Sequence, residues 1–227
     1  VILLEARIEL IRRSLPALLG GTVITIQLTV LILLFGVFFG LIFAFGQVYG
    51  IKPIRWFVNV YEKIFRSIPE LVLLLLVFYG PPSLGIRISP FNAAVLGLGL
   101  RATAYMSQIF RGTFKSVGSD QITAAYSLGM GKYKTFLFVI LPQAFRVFIP
   151  PFANEYAIIL KDTSLAYALG VAELLRQGQY IIAVAYDPLT IFLAIAAIYF
   201  VLTFGVTRLL KVLENKLKIP GIGVEIG

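Results

Sequence analysis

Residues Ser14 to Ile51 read SLPALLGGTVITIQLTVLILLFGVFFGLIFAFGQVYGI, and no acid or base interrupts them. A helix crosses about 30 Å of hydrocarbon with roughly 20 predominantly apolar residues, so this stretch decides the fold class. A spanning helix is expected near residues 19–47. Gly36 and Gly40 form one GxxxG step inside it, and Gly46 and Gly50 a second. Such steps let helices approach closely and are assigned here to packing within one bundle.

The rest of the chain agrees. Of 227 residues, 59% are hydrophobic and 14% charged, and the mean hydropathy is +0.93. A soluble domain of this size could not bury so much apolar surface. The short alternating segments of a membrane barrel are absent. The expected class is an all-α integral membrane protein. The net charge of +9 sits mainly beside apolar runs, where it records membrane orientation and lipid contact rather than nucleic-acid binding. The chain has no Cys and no His, which removes thiolate chemistry, the commonest general base and the usual metal ligands. No cleavable signal is expected, because the first residues alternate acid and base. The chain opens on Val1, so an upstream start is expected.

Residues 1–16 put Leu4, Ile8, Ile11 and Leu15 on one face. They fit an amphipathic surface helix and a simple extension of the first span equally well. Further spans are expected near 54–80, 89–114, 148–169 and 188–210, with a connecting loop at 115–134. The second is introduced by Lys52-Pro-Ile-Arg55 and Trp56, breaks near Pro69, and ends at Gly80-Pro-Pro-Ser-Leu-Gly85. Pro150-Pro151 is expected to kink or restart the fourth.

Asp120 to Ala144 reads DQITAAYSLGMGKYKTFLFVILPQA. Two small residues, Ala124 and Ala125, precede Gly129 by about one helical turn. A glycine there can take the left-handed conformation that ends a helix. This stretch resembles the cytoplasmic "EAA" loop of ABC importer permeases, through Ala124, Ala125, Gly129, Phe136, Val139, Pro142 and Ala144. Thr123 stands where that family usually carries Glu. The resemblance implies a coupling helix that docks on a cytoplasmic ATPase, with Thr123, Ala124, Ala125, Ser127, Gly129, Lys132 and Pro142 as coupling residues. If the loop is cytoplasmic, three basic clusters lie inside: Lys52/Arg55/Lys63/Arg66, Arg111/Lys115/Lys132/Lys134 and Arg208/Lys211/Lys216/Lys218. That bias independently favours an external N-terminus and a cytoplasmic C-terminus.

Ionisable groups inside spans point to function. Glu155 and Asp162, seven apart, share a helix face, as do Arg101, Tyr105 and Gln108. Facing each other, they would enclose a cavity with both signs of charge, as a zwitterion requires. Equally, Arg101 can pair with the acids as structural glue. Asn154-Glu155 and Lys161-Asp-Thr-Ser-Leu165 resemble the polar amino-acid importer permeases of the histidine, glutamine and arginine group. Ala104-Tyr105, Ile109-Phe110-Arg111 and Val171-x-Glu173-Leu-Leu-Arg176 match it too, and the resemblance runs from about residue 16 to 215.

The resemblance implies a type I ABC importer permease fold with five spans in a bacterial cytoplasmic membrane. It implies no cofactor in this chain, with ATP and Mg on a partner ATPase dimer. It also implies a second permease subunit, identical or related, and an external substrate-binding protein. The expected amino-acid contacts are Arg101, Tyr105, Gln108, Glu155, Asp162, Thr163, Ser164 and Glu70, with metal at none of them. Glu70, where an apolar residue is expected, tips the preference towards a basic ligand. Gly131-Lys132 is no phosphate loop, because Tyr126 and Tyr133 replace the Gly and Ser/Thr that motif requires. An ATP-independent secondary transporter or channel is the rival, although no internal repeat is found. An intramembrane enzyme would need Glu155 and Asp162 as a pair, about 10 Å apart along the helix.

Overall fold

The computed structural model describes residues 2–217, and the regular elements among them are all helical. Helix α1 (Ile2–Tyr49) runs unbroken for 48 residues, about 72 Å at 1.5 Å per residue. Residues 2–16 are therefore an extension of the first span and not a separate surface helix, and Pro16 lies within α1 without ending it. Gly36 and Gly40 pack α1 onto α4 (Pro90–Lys115). A Cβ at Gly36 would come within 2.8 Å of the Ala102 Cβ, and one at Gly40 within 2.6 Å of the Met106 Cβ. These two glycines serve packing inside the bundle, as expected.

The second expected span is not straight. Helices α2 (Lys52–Ser67) and α3 (Glu70–Tyr79) meet at 105°. At 16 and 10 residues, about 24 and 15 Å, neither is long enough to cross hydrocarbon alone. The break falls at Ile68-Pro69, because the residue before a proline is pushed out of helical geometry. Among the described residues three helical segments are long and apolar enough to span, or four with the bent pair. Helix α4 is 26 residues long, but it is surrounded by α1, α2, α3 and α7 and carries polar side chains to them.

Past α4 come α5 (Ser119–Ser127), the short α6 (Lys132–Thr135), a π-turn at Phe136–Ile140 and α7 (Leu141–Asp162), then a 3₁₀ turn at Thr163–Leu169. The apolar stretch Lys132–Leu169 is thus longer than the expected fourth span. Its π-turn ends two residues before Pro142, whose ring would crowd the carbonyl of Phe138, four residues back, in a regular α-helix. Pro150 and Pro151 lie inside α7 and do not restart it. Helices α8 (Leu174–Ala185) and α9 (Pro188–Leu217) complete the bundle. Lys218 and the tail beyond it lie outside the described residues.

Helix α8 is fixed by a buried polar knot. Glu173 caps it by accepting from the Leu175 and Arg176 backbone N–H groups, each at 2.8 Å, and takes the Tyr199 hydroxyl from α9 at 3.2 Å. The Leu174 N–H donates to Thr25 Oγ1 on α1.

Candidate functional site: an acidic cluster and a coupling helix

The bend between α2 and α3 places Glu70 in the first turn of α3, where a carboxylate also suits the helix dipole. From there it reaches Arg101 in the middle of α4, which is only 7% exposed. Arg101 Nε donates to Glu70 Oε1 at 2.7 Å. Its Nη1 lies 3.3 Å from Asp162 Oδ2 and 3.6 Å from Glu155 Oε1, both on α7. The shared face read from the spacing of Glu155 and Asp162 thus brings both acids to one guanidinium. Three carboxylates surround a single cation. Glu155 Oε1 and Asp162 Oδ2 are buried and accept no hydrogen bond from the protein, despite lying within ion-pair reach of Arg101.

The other expected contacts divide. Tyr105 lies beside the cluster, with the Arg101 guanidinium over its ring at 4.4 Å. Thr163 is fully buried, and its hydroxyl donates to the Leu160 carbonyl at 2.7 Å within its own helical turn. Ser164 is half-buried on the same 3₁₀ turn. Gln108 departs from the group: its amide donates to Glu62 and its carbonyl accepts from Arg111. One face of α4 therefore serves two neighbourhoods, with Arg101 turned to the acids of α3 and α7 and Gln108 to Glu62 of α2. Both α2 and α7 nevertheless run along this stretch of α4: Tyr61 donates to the Leu100 carbonyl and Phe148 stacks on Phe110.

At the far end of α4, α5 projects as a short helix. Gly129 has φ +75°, and the Met130 N–H closes back onto the Ala125 carbonyl at 3.0 Å, the bond that terminates a helix through a left-handed residue. The two alanines differ: Ala125 is buried beneath α5, and Ala124 faces outward. Thr123 and Ser127 are exposed, and their hydroxyls bond to carbonyls one turn back. Leu128, which the motif does not single out, is 82% exposed at the tip. Lys132 ties the loop to α1 by donating to the Tyr49 carbonyl at 2.8 Å. Phe136 packs edge-on against Phe45, Tyr49 and Phe114, so α5 is seated on the bundle. Pro142 is exposed at the start of α7.

A bundle of apolar helices around a buried ion cluster, with a short helix held outside it, is the architecture of a helical membrane protein. The chain belongs to the family of binding-protein-dependent transport system inner membrane components, which matches residues 36–219. It is 40% identical over 211 residues to the L-cystine transport system permease protein TcyB of Bacillus subtilis (strain 168), a match covering 92% of this chain and 90% of that protein. It is 35% identical over 212 residues to the glutamine transport system permease protein GlnP of Escherichia coli (strain K12), covering 91% and 95%. Among solved structures it is similar to an amino acid ABC transporter crystallised with histidines, at TM-score 0.85 and 34% identity over 91% of this chain and 96% of that one. The chain is an amino-acid ABC importer permease, a multi-pass inner-membrane subunit without ATPase chemistry of its own.

The sequence reading missed Glu62, Arg66 and Arg111 as a group. A signal was present, since Glu62 is an isolated acid four residues from Arg66, one helical turn away on the same face of α2.

Proposed function

We propose that this permease carries a polar amino acid with a preference for basic ones, and that the ligand binds at Arg101, Glu70, Glu155 and Asp162 beside Tyr105. The observation that carries this reading is the excess of acid: three carboxylates share one guanidinium, and two of their buried oxygens lack a hydrogen-bond donor. Such oxygens suit an ammonium or guanidinium group, while Arg101 suits a carboxylate. Thr163 and Ser164 follow Asp162 directly in the chain, on the 3₁₀ turn that ends α7. A cytoplasmic ATPase dimer, holding ATP and Mg, docks on α5 through the surface of Thr123, Ala124, Ser127, Leu128 and Lys132. Its closure rocks the bundle between two states that differ in ligand affinity. A second permease subunit and an external binding protein complete the importer, and the N-terminus lies outside with the C-terminus in the cytoplasm.

The test is uptake into proteoliposomes holding this chain, its ATPase and its binding protein, with L-arginine, L-histidine, L-glutamine and L-cystine as probes. ATP-dependent uptake is expected, with a basic amino acid preferred. The paired change Glu155→Gln and Asp162→Asn should cut L-arginine uptake by about tenfold or more, the scale of one charge-assisted hydrogen bond, and affect L-glutamine less. Equal losses for both would end the basic preference. Gly129→Leu cannot hold φ +75° without strain. It should leave insertion intact and uncouple ATP hydrolysis from uptake, and normal uptake by this variant would overturn the docking role of α5.

A further inference from the structure

A second polar space lies along α4, nearer α5. It has a volume of about 520 Å³, within the usual range of about 300–1,000 Å³ for ligand pockets. Asn59, Glu62, Lys63, Arg66, Gln108 and Arg111 are among its lining residues. Its only acid among them is already engaged: Glu62 is buried and accepts from the Ser107 hydroxyl at 2.7 Å and from the Gln108 amide. Arg111 is held by the neutral carbonyl of Gln108. Among the described residues no carboxylate lies within ion-pair distance of Lys63, Arg66 or Arg111. Lys63 and Arg66, both exposed, and the half-buried Arg111 therefore border a partly open space of ligand size, and none of them is ion-paired with Glu62, the acid in its lining.

The space adjoins the acidic cluster. Arg66 lies over the Tyr105 ring at 5.0 Å, and Arg101 lies over the same ring at 4.4 Å. Along α4, Tyr105 stands about 6 Å beyond Arg101 and about 4.5 Å short of Gln108. The bend at Pro69 makes the division: Arg66 closes α2 on one side of it and Glu70 opens α3 on the other.

We infer that this basic chamber is a second binding station, which takes the α-carboxylate of the amino acid on Arg66, Arg111 and Lys63, with the shared Tyr105 ring as the partition from the acidic cluster. The inference rests on the acidic cluster being the first station. The charge pattern then has a consequence. The first station offers three carboxylates to the ligand's cationic end beside Arg101, and the second draws it onward by its carboxylate alone.

The experiment is equilibrium binding to the nucleotide-free complex of permease and ATPase in nanodiscs of zwitterionic phosphatidylcholine, with L-arginine, L-histidine, L-glutamine and L-cystine as probes. Two classes of site are expected for at least one probe. The double variant Arg66→Gln with Arg111→Gln should remove one class, weakening it about tenfold or more, and leave the other unchanged. Arg101→Gln should do the reverse. The variant Arg66→Lys with Arg111→Lys, which keeps the charge, should retain both classes and so separates lost charge from lost folding. A single class removed by Arg101→Gln and indifferent to Arg66 and Arg111 would overturn the second station. A single class removed only by the Arg66 and Arg111 change would keep the chamber and overturn the acidic cluster as the ligand site. Binding that appears only when anionic lipid is added would assign the three cations to lipid phosphate and overturn the station. No binding of any probe would overturn both.

Discussion

The acidic cluster and the basic chamber are neighbours on one face of α4, yet they carry opposite excesses of charge, the first around a buried guanidinium and the second at a more open surface. In the cluster one guanidinium is shared by three carboxylates, so the acids are in excess. In the chamber one carboxylate is saturated by a hydroxyl and an amide, so the cations are in excess. The difference shows that position along α4, and not residue type, sets the job of each charge. Arg101 is anchored by ions, whereas Arg111 is anchored by a neutral amide.

The largest effect should come from removing the cation of the acidic cluster. Arg101→Met leaves Glu70, Glu155 and Asp162 without their common partner, and breaking a buried pair in this way costs about 3–5 kcal/mol. Thermal unfolding of the ligand-free protein in detergent measures it. Adding Glu155→Gln and Asp162→Asn should restore much of that stability without restoring ligand binding. A neutral Arg101→Met would mean that the cluster is not held by its guanidinium.

In the chamber the matching change is Glu62→Gln. Its carboxylate accepts two hydrogen bonds, and each falls from the charged range of about 1.5–3 kcal/mol towards the neutral range of about 0.5–1.5, a loss of about 1 kcal/mol or more per bond. The chamber also becomes more positive. A ligand carboxylate should then bind there more tightly and leave more slowly, so uptake falls while binding at the second station strengthens. Weaker binding at that station would show that Glu62 contributes to ligand capture and does not merely hold Gln108.

Parts of this arrangement were legible in the sequence because they depend on local chemistry. Pro69 announced the α2–α3 break, and Gly129 announced a left-handed helix end, since both act on their own backbone. The seven-residue spacing of Glu155 and Asp162 placed them together because helix periodicity is fixed. What stayed hidden depends on the register between helices. Gln108 shares a face with Arg101, but which neighbouring helix supplies its partner is set by how the helices pack, and here that partner is Glu62 of α2. The continuity of α1 through Pro16 and of α7 through Pro150-Pro151 was hidden for a related reason. Each proline does remove a donor, but neighbouring helices and local turns keep such segments helical in a bundle.

The smallest effect in stability is also the sharpest test of the division between the two regions. Tyr105 offers one ring to two guanidiniums, and a partly desolvated cation–π contact is worth about 0.5–2 kcal/mol. Tyr105→Phe keeps the ring and should be silent in both thermal unfolding and transport. Tyr105→Ala should lower stability only by that modest amount, yet it removes the partition between an acid-rich and a cation-rich space. With nothing between them, Arg66 can approach Glu155 and Asp162 and pair with the acids that lack donors. The two classes of binding site should then merge into one, and ATP hydrolysis should proceed without added ligand. If Tyr105→Ala instead leaves two distinct classes, the separation belongs to the bend at Pro69, and Tyr105 is only packing against it.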